Sequence, residues 1–143
     1  LSDPFCVERH REAFRTFIRD RVDIVFANEK ELRSLYSGAS FDEACAAIRT
    51  ECDLVAITRS EKGSVILQGD RAVKVPAMPV SKLVDATGAG DLYAAGFMFG
   101  LGTGRDLEAC ARLGGLAASE VITHVGPRPL RPLSDLARSH GLL

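Results

Sequence analysis

The sequence carries no excess of either charge. Its 18 Lys and Arg stand against 19 Asp and Glu, a formal net charge of −1. A chain so balanced has no electrostatic footprint for nucleic acid or for an anionic membrane, and neither is expected as a partner. It also lacks long apolar runs. Leu54-Val55-Ala56-Ile57 is typical of those present, far short of the roughly 18 residues a membrane helix needs. It has no C-x-x-C pair: Cys6, Cys45, Cys52 and Cys110 are scattered, and His10, His124 and His140 do not cluster with them. That spacing argues against zinc, and the thiols read as small buried hydrophobes in a reducing cytoplasm. The opening Leu1-Ser2-Asp3-Pro4 is no signal peptide and does not begin with Met, so the chain reads as processed or cut from something longer. Internal repeats, linkers and low-complexity stretches are missing as well. With 46% apolar and 26% charged residues, disorder, collagen and coiled coil are excluded. The expectation is one domain over residues 1–143, able to bury about 70% of its unfolded surface.

Strand and helix signals alternate along the chain. Cys6 to Asp20 is amphipathic and predicts one helix, with Phe14, Phe17 and Ile18 on its apolar face. Asp23–Ala27 and Leu54–Thr58 are continuously apolar and predict buried parallel strands. Between them, Glu29–Tyr36 predicts a short helix stopped by Ser37-Gly38. Ser40 with Glu43 predicts a capping box opening another, which buries Phe41, Ala44, Cys45 and Ile48. Ser64–Leu67 and Ala72–Val75 around Gly69-Asp70 read as a hairpin. A loop of small residues, 84–91, precedes a helix from about Leu92 to Leu101, and a further helix runs from Asp106 to Ile122, burying Leu107, Cys110, Ala111, Ala118 and Val121. Gly126-Pro127-Arg128-Pro129 precedes a last short helix. The alternation predicts a three-layer α/β fold with a mainly parallel sheet.

The loop Asp85-Ala86-Thr87-Gly88-Ala89-Gly90-Asp91 holds the most chemical information. Consecutive small residues let backbone N–H groups converge at a helix N-terminus, which makes an anion site. It is no Walker A loop, because no lysine stands at the helix start. It is no dinucleotide fingerprint, because Tyr93 occupies the place of the third glycine. A carboxylate at the lip of an anion hole is unfavourable unless it has a role. The natural one for Asp91 is to take a proton from an alcohol attacking the γ-phosphate, while the amides stabilise the charge on the transferred group. The bland alternative is a Gly-rich turn whose Asp91 caps the helix. Gly90 is expected to be the least replaceable residue of the loop, for its backbone freedom and for close approach of phosphate.

These residues resemble the C-terminal signature of the ribokinase-like (PfkB-type) carbohydrate and nucleoside kinases. Two further segments agree in order. Asn28-Glu29-Lys30-Glu31 resembles the family's N-x-x-E motif, and Thr58-Arg59-Ser60-Glu61-Lys62-Gly63 resembles its T-x-G-x-x-G nucleotide turn, with Ser60 where glycine is usual. The resemblance implies a three-layer α/β/α ribokinase-like fold and transfer of the γ-phosphate of ATP. Asp91 is then the catalytic base that touches substrate, and Gly88, Ala89 and Gly90 line the anion hole. Asn28, Thr58, Ser60, Gly63 and Gly90 face the nucleotide. Asn28 and Glu31 organise Mg²⁺ through water. Asp85 and Thr87 match positions that in many members hold a monovalent cation such as K⁺, completed by the loop of Val121, His124 and Gly126. Alternatives remain open at two of these places. Asp85 is equally a loop-closing acid, and Asn28 with Glu31 is also readable as a helix cap and a solvated surface acid. His124 is not expected to be a base, and is placed on the loop bordering adenine.

Ala118–Pro129 and the opening Ser2-Asp3-Pro4-Phe5 resemble bacterial members called adenosine kinases, which makes adenosine the first expected acceptor and ribose or a hexose the second. Full-length members are roughly twice this long, near the limit of a single core. The expectation is therefore a C-terminal portion that lacks the N-terminal half supplying most of the substrate pocket. Such a chain has ATP or ADP and that missing half as partners, self-associates (a homodimer being the simplest form), and has a non-catalytic nucleotide-binding fragment as its alternative function.

Overall fold

The computed structural model describes residues 1 and 3–143. Their elements are α1 (Pro4–Arg9), α2 (Arg11–Arg21), β1 (Ile24–Asn28), α3 (Glu29–Leu35), α4 (Phe41–Ile48), β2 (Leu54–Thr58), β3 (Ser64–Gln68), β4 (Arg71–Val75), α5 (Ala89–Gly102), α6 (Leu107–Val121) and α7 (Leu133–Ser139). The four strands lie in the order β1-β2-β3-β4, and β1 and β2 run parallel, with Ile24 opposite Leu54 and Asn28 opposite Thr58. The expected α/β architecture is present. The sheet is mixed, since β3 and β4 form the hairpin the Gly69-Asp70 turn predicts.

The chain divides into two compact units, one of residues 1–59 with 65–73, the other of residues 60–64 with 74–143. In the first, the core is built by Val25, Ala27, Val55 and Ile57 of the strands, with Leu32, Leu35, Ala44 and Ile48 of α3 and α4. Leu32, Leu35 and Ile48 are completely buried, each contributing about 1.5–3 kcal/mol by the usual transfer scale. β2 and β3 are each buried along four of their five residues and β1 only at alternate ones, as fits two interior strands and an edge strand in this order. On β1, the Phe26 carbonyl accepts a hydrogen bond from the Leu1 N–H at 2.7 Å. In the second unit α5 and α6 pack closely, and Leu113, Leu116, Ala137 and Leu142 form its small core with Met78 and Leu136.

The local signals explain most element boundaries. Ser40 accepts from the Glu43 N–H while Glu43 returns a bond to the Ser40 N–H, the capping box expected for α4. Ser37 and Gly38, with φ of 57° and 77°, end the α3 region as expected. Two boundaries differ. The single helix expected over Cys6–Asp20 is two helices that break at His10, φ −117°. The apolar pattern runs straight through that residue, and neither Gly nor Pro marks it. Helix α5 begins at Ala89 rather than Leu92, because left-handed Gly88 (φ 80°) turns the chain directly into the first helical turn. Of the residues expected on the buried face of α6, Leu107 and Ala118 are only half-buried. Leu113, Gly114, Leu116, Ala117 and Glu120 are buried alongside Cys110, Ala111 and Val121. Asp3 caps α1 by accepting from the Phe5 and Cys6 N–H groups, with Pro4 in the first turn. The Ser2 portion of the opening motif lies outside the described residues.

Candidate active site

Asn28 and Thr58 are the last residues of two adjacent parallel strands and sit opposite one another. The N-x-x-E and T-x-G-x-x-G segments therefore both leave the sheet at its carboxyl end, where open α/β sheets bind ligands. Asn28 starts α3. Its side chain accepts from the Glu31 N–H at 2.9 Å, and Glu31 accepts from the Asn28 backbone and side-chain N–H groups at 2.9 and 2.8 Å. Glu31 is thus a capping acid, and at 5% exposure it is not a solvated one. Desolvation pushes its carboxyl above the usual range, against the opposing effect of the Asn28 N–H. Both Glu31 oxygens are thus engaged by Asn28. Among the described residues no group of three or more His, Cys, Asp or Glu could hold a metal ion by itself. Arg59, next after Thr58, donates to Glu29 at 2.7 Å and lies 3.8 Å over the Phe41 ring.

In the turn after β2, Ser60 has φ 51° and Gly63 φ 83°. Ser60, which stands where the resembled motif has glycine, is left-handed, and serine occupies that conformation under strain. Gly63 has no such latitude, since a Cβ there would lie 2.0 Å from the Val75 carbonyl oxygen.

The phosphate-type loop has a clear division of labour. Gly88 is left-handed at the start of α5, and a Cβ on it would meet Pro127 Cβ at 2.6 Å. Ala89 donates to the Ala86 carbonyl. The N–H groups of Gly90 and Asp91 have no protein acceptor among the described residues, as expected for a helix's first turn. Nothing lies within 4 Å of where a Gly90 Cβ would be. Asp91 is exposed in that same turn, makes no cap, and its carboxylate has no hydrogen bond or ion pair among the described residues. The bland reading of Asp91 as the N-cap does not hold, because Gly88 is the N-cap and offers no side-chain bond. Two free amides, open space above a glycine and an unengaged carboxylate thus share one helical turn.

Asp85 closes this loop. Its Oδ1 accepts from the Thr87 N–H at 2.9 Å and the Thr87 hydroxyl at 2.6 Å, and its Oδ2 accepts from the Gly126 N–H at 2.9 Å. These donors, the Thr87 hydroxyl foremost, hold its carboxyl down to about 2. The Val84 and Asp85 N–H groups donate to the Ile122 carbonyl at 2.8 and 3.4 Å, so the segment after α6 is stitched to the loop. Val121 is buried at the end of α6, and Gly126 is left-handed at φ 96°. His124 is directed to Glu120, its Nε2 lying 3.4 Å from Oε2, and among the described residues it makes no hydrogen bond or ion pair with Asp91. Glu120 was not legible as a site residue. It sits in a helical pattern where a buried acid has no sequence signature.

The pfkB family carbohydrate kinase pattern matches residues 1–133. Among solved structures, a probable sugar kinase from Rhizobium etli is 49% identical with TM-score 0.98, over all of this chain and 44% of its own. Adenosine kinase from Sinorhizobium meliloti is 50% identical with TM-score 0.96, over 98% of this chain and 43% of its own. Cytidine kinase from Thermococcus kodakarensis is 37% identical over 82% of this chain and 43% of its length. The chain spans less than half the length of these relatives. By family match and fold alike, this chain belongs to the PfkB family, with the ribokinase-like fold its motifs imply.

Proposed function

We propose that this chain carries the phosphoryl-transfer machinery of an ATP-dependent nucleoside kinase with adenosine as acceptor. The observation that supports it most is the first turn of α5, where Asp91 is unengaged beside the free N–H groups of Gly90 and Asp91. Asp91 takes the proton of the acceptor hydroxyl as that oxygen forms its bond to the γ-phosphorus. The bond from phosphorus to the β-phosphate bridging oxygen breaks, and ADP leaves with the electron pair. The amides of the Gly88–Gly90 hole hold the charge that spreads over the transferred oxygens. Asn28, Thr58, Ser60 and Gly63 serve the nucleotide. Mg²⁺, when bound, neutralises charge on the phosphate oxygens. Asn28 and Glu31 orient its water, consistent with a carboxylate that is buried and already bonded on both oxygens. Asp85 and Thr87, with the 121–126 segment, are the place for a monovalent cation, beside a carboxylate held ionised by its loop donors. Support for adenosine comes from the 50% identity to the Sinorhizobium enzyme. The 49% identity to a probable sugar kinase favours a sugar hydroxyl as the second reading. The test is phosphate transfer from ATP to adenosine, cytidine and ribose side by side, in the complete protein that bears this segment. Adenosine is expected to have the highest kcat/KM. Preference for ribose replaces the first reading by the second, and transfer to none leaves a nucleotide-binding module.

A further inference from the structure

Helix α6 ends in a buried acid that none of the roles above uses. Glu120 is 8% exposed. Its Oε1 accepts from the Leu130 N–H at 3.1 Å, and its Oε2 lies 3.4 Å from His124 Nε2. One carboxylate therefore ties down two points, 124 and 130, of the irregular segment that follows the helix. That segment in turn shapes the phosphate-type loop from three sides. The Ile122 carbonyl receives the Val84 and Asp85 N–H groups, the Gly126 N–H holds Asp85 Oδ2, and Pro127 stands against Gly88. Burying a carboxylate is unfavourable unless its lone pairs are met. Among the described residues they are met by groups of the segment itself, so the segment cannot move off without leaving the carboxylate unpartnered.

We infer that Glu120 is a positioning residue for the anion site: it fixes the 122–130 segment, and through Gly126, Ile122 and Pro127 it fixes Asp85 and Gly88. The consequence for turnover rests on the kinase reading, while the consequence for the loop does not. Both are tested in the complete protein with Glu120→Ala and Glu120→Gln. Amide hydrogen exchange at Val84, Asp85 and Gly126 is expected to accelerate in Glu120→Ala. It is expected to accelerate less in Glu120→Gln, which keeps an oxygen for the Leu130 N–H. The KM for ATP is expected to rise and kcat to fall with it, because the displaced amides also hold the transferred charge. The combined loss in kcat/KM is roughly 10–100-fold, less than the roughly 10²–10³-fold that follows removal of an entire oxyanion donor. A purely stabilising side chain would instead lower the active fraction, reducing apparent kcat at unchanged KM. Should Glu120→Ala not fold, the Gln variant carries both measurements, and exchange at Gly126 as slow as in the parent overturns the inference. An unchanged KM with unchanged exchange does so as well. If the parent protein binds no ATP or ADP, the kinase reading fails by itself, and the exchange data alone decide the role of Glu120.

Discussion

At the residue scale, the glycines and their substitutes separate fold from chemistry. Ser60 holds φ 51° where glycine would relax, so Ser60→Gly is expected to gain about 0.5–1 kcal/mol despite the added chain entropy, read as a higher Tm. Gly90 and Gly88 exchange the parts the sequence suggests for them. The unusual backbone angle belongs to Gly88, whereas Gly90 has ordinary helical geometry and open space above it. Gly90→Ala is therefore expected to keep or raise Tm, by up to the roughly 0.5–1 kcal/mol that alanine gains over glycine in a helix. It is expected to weaken ADP binding, which calorimetry reads directly. A lower Tm with unchanged ADP affinity would show that the space over Gly90 serves packing only. Asp85 supplies a pH test. Its folded pKa, about 2, lies below the ordinary 3.8. Its contribution is thus complete above the ordinary value and is lost as pH falls through about 2. The Gly126 amide shift is expected to titrate near that value, and titration close to 3.8 would mean that the loop bonds are not formed in solution. The sequence shows Asp85 and Asp91 as a pair at fixed spacing, but not that one is fully bonded and the other free. That distinction depends on Gly126, which is 41 residues downstream of Asp85.

At the element scale, capping chemistry was the most legible feature. Asn28 with Glu31 and Ser40 with Glu43 each form the reciprocal box their spacing allows, and β2 occupies the residues its apolar run marks. The break at His10 and the start of α5 were not legible, because no side chain announces them. The α5–α6 seam was equally hidden. Helix α5 is apolar all round, so periodicity cannot say which face packs. In the structure Gly96 and Gly100 oppose Leu113, Gly114 and Cys110, and a Cβ on Gly114 would stand 2.6 Å from the Tyr93 carbonyl oxygen. Gly114→Ala is expected to force the helices apart at about 1–3 kcal/mol, the usual cost of overpacking. An unchanged denaturation midpoint would mean that the seam is looser than drawn. Burial beneath it raises the Tyr93 phenol to about 12.

At the scale of the whole molecule, the chain spans 43–44% of the relatives it matches. It also leaves large apolar side chains in water, among them Phe5, Leu83, Phe99, Val125 and Leu130. Large exposed apolar side chains promote association where they adjoin. The 143 residues expressed alone are expected to sediment as more than a monomer and to transfer little phosphate, and a monodisperse, active monomer would refute both expectations. The central claim is narrower: the first turn of α5 supplies the base and the anion hole. It is tested most directly by turnover of the complete protein with Asp91→Asn, with ADP affinity measured on the same preparations. The account predicts a kcat lower by roughly 10²–10⁴-fold, the range for loss of a general base, with ADP affinity unchanged because backbone amides make the hole. Near-normal turnover by Asp91→Asn would contradict it.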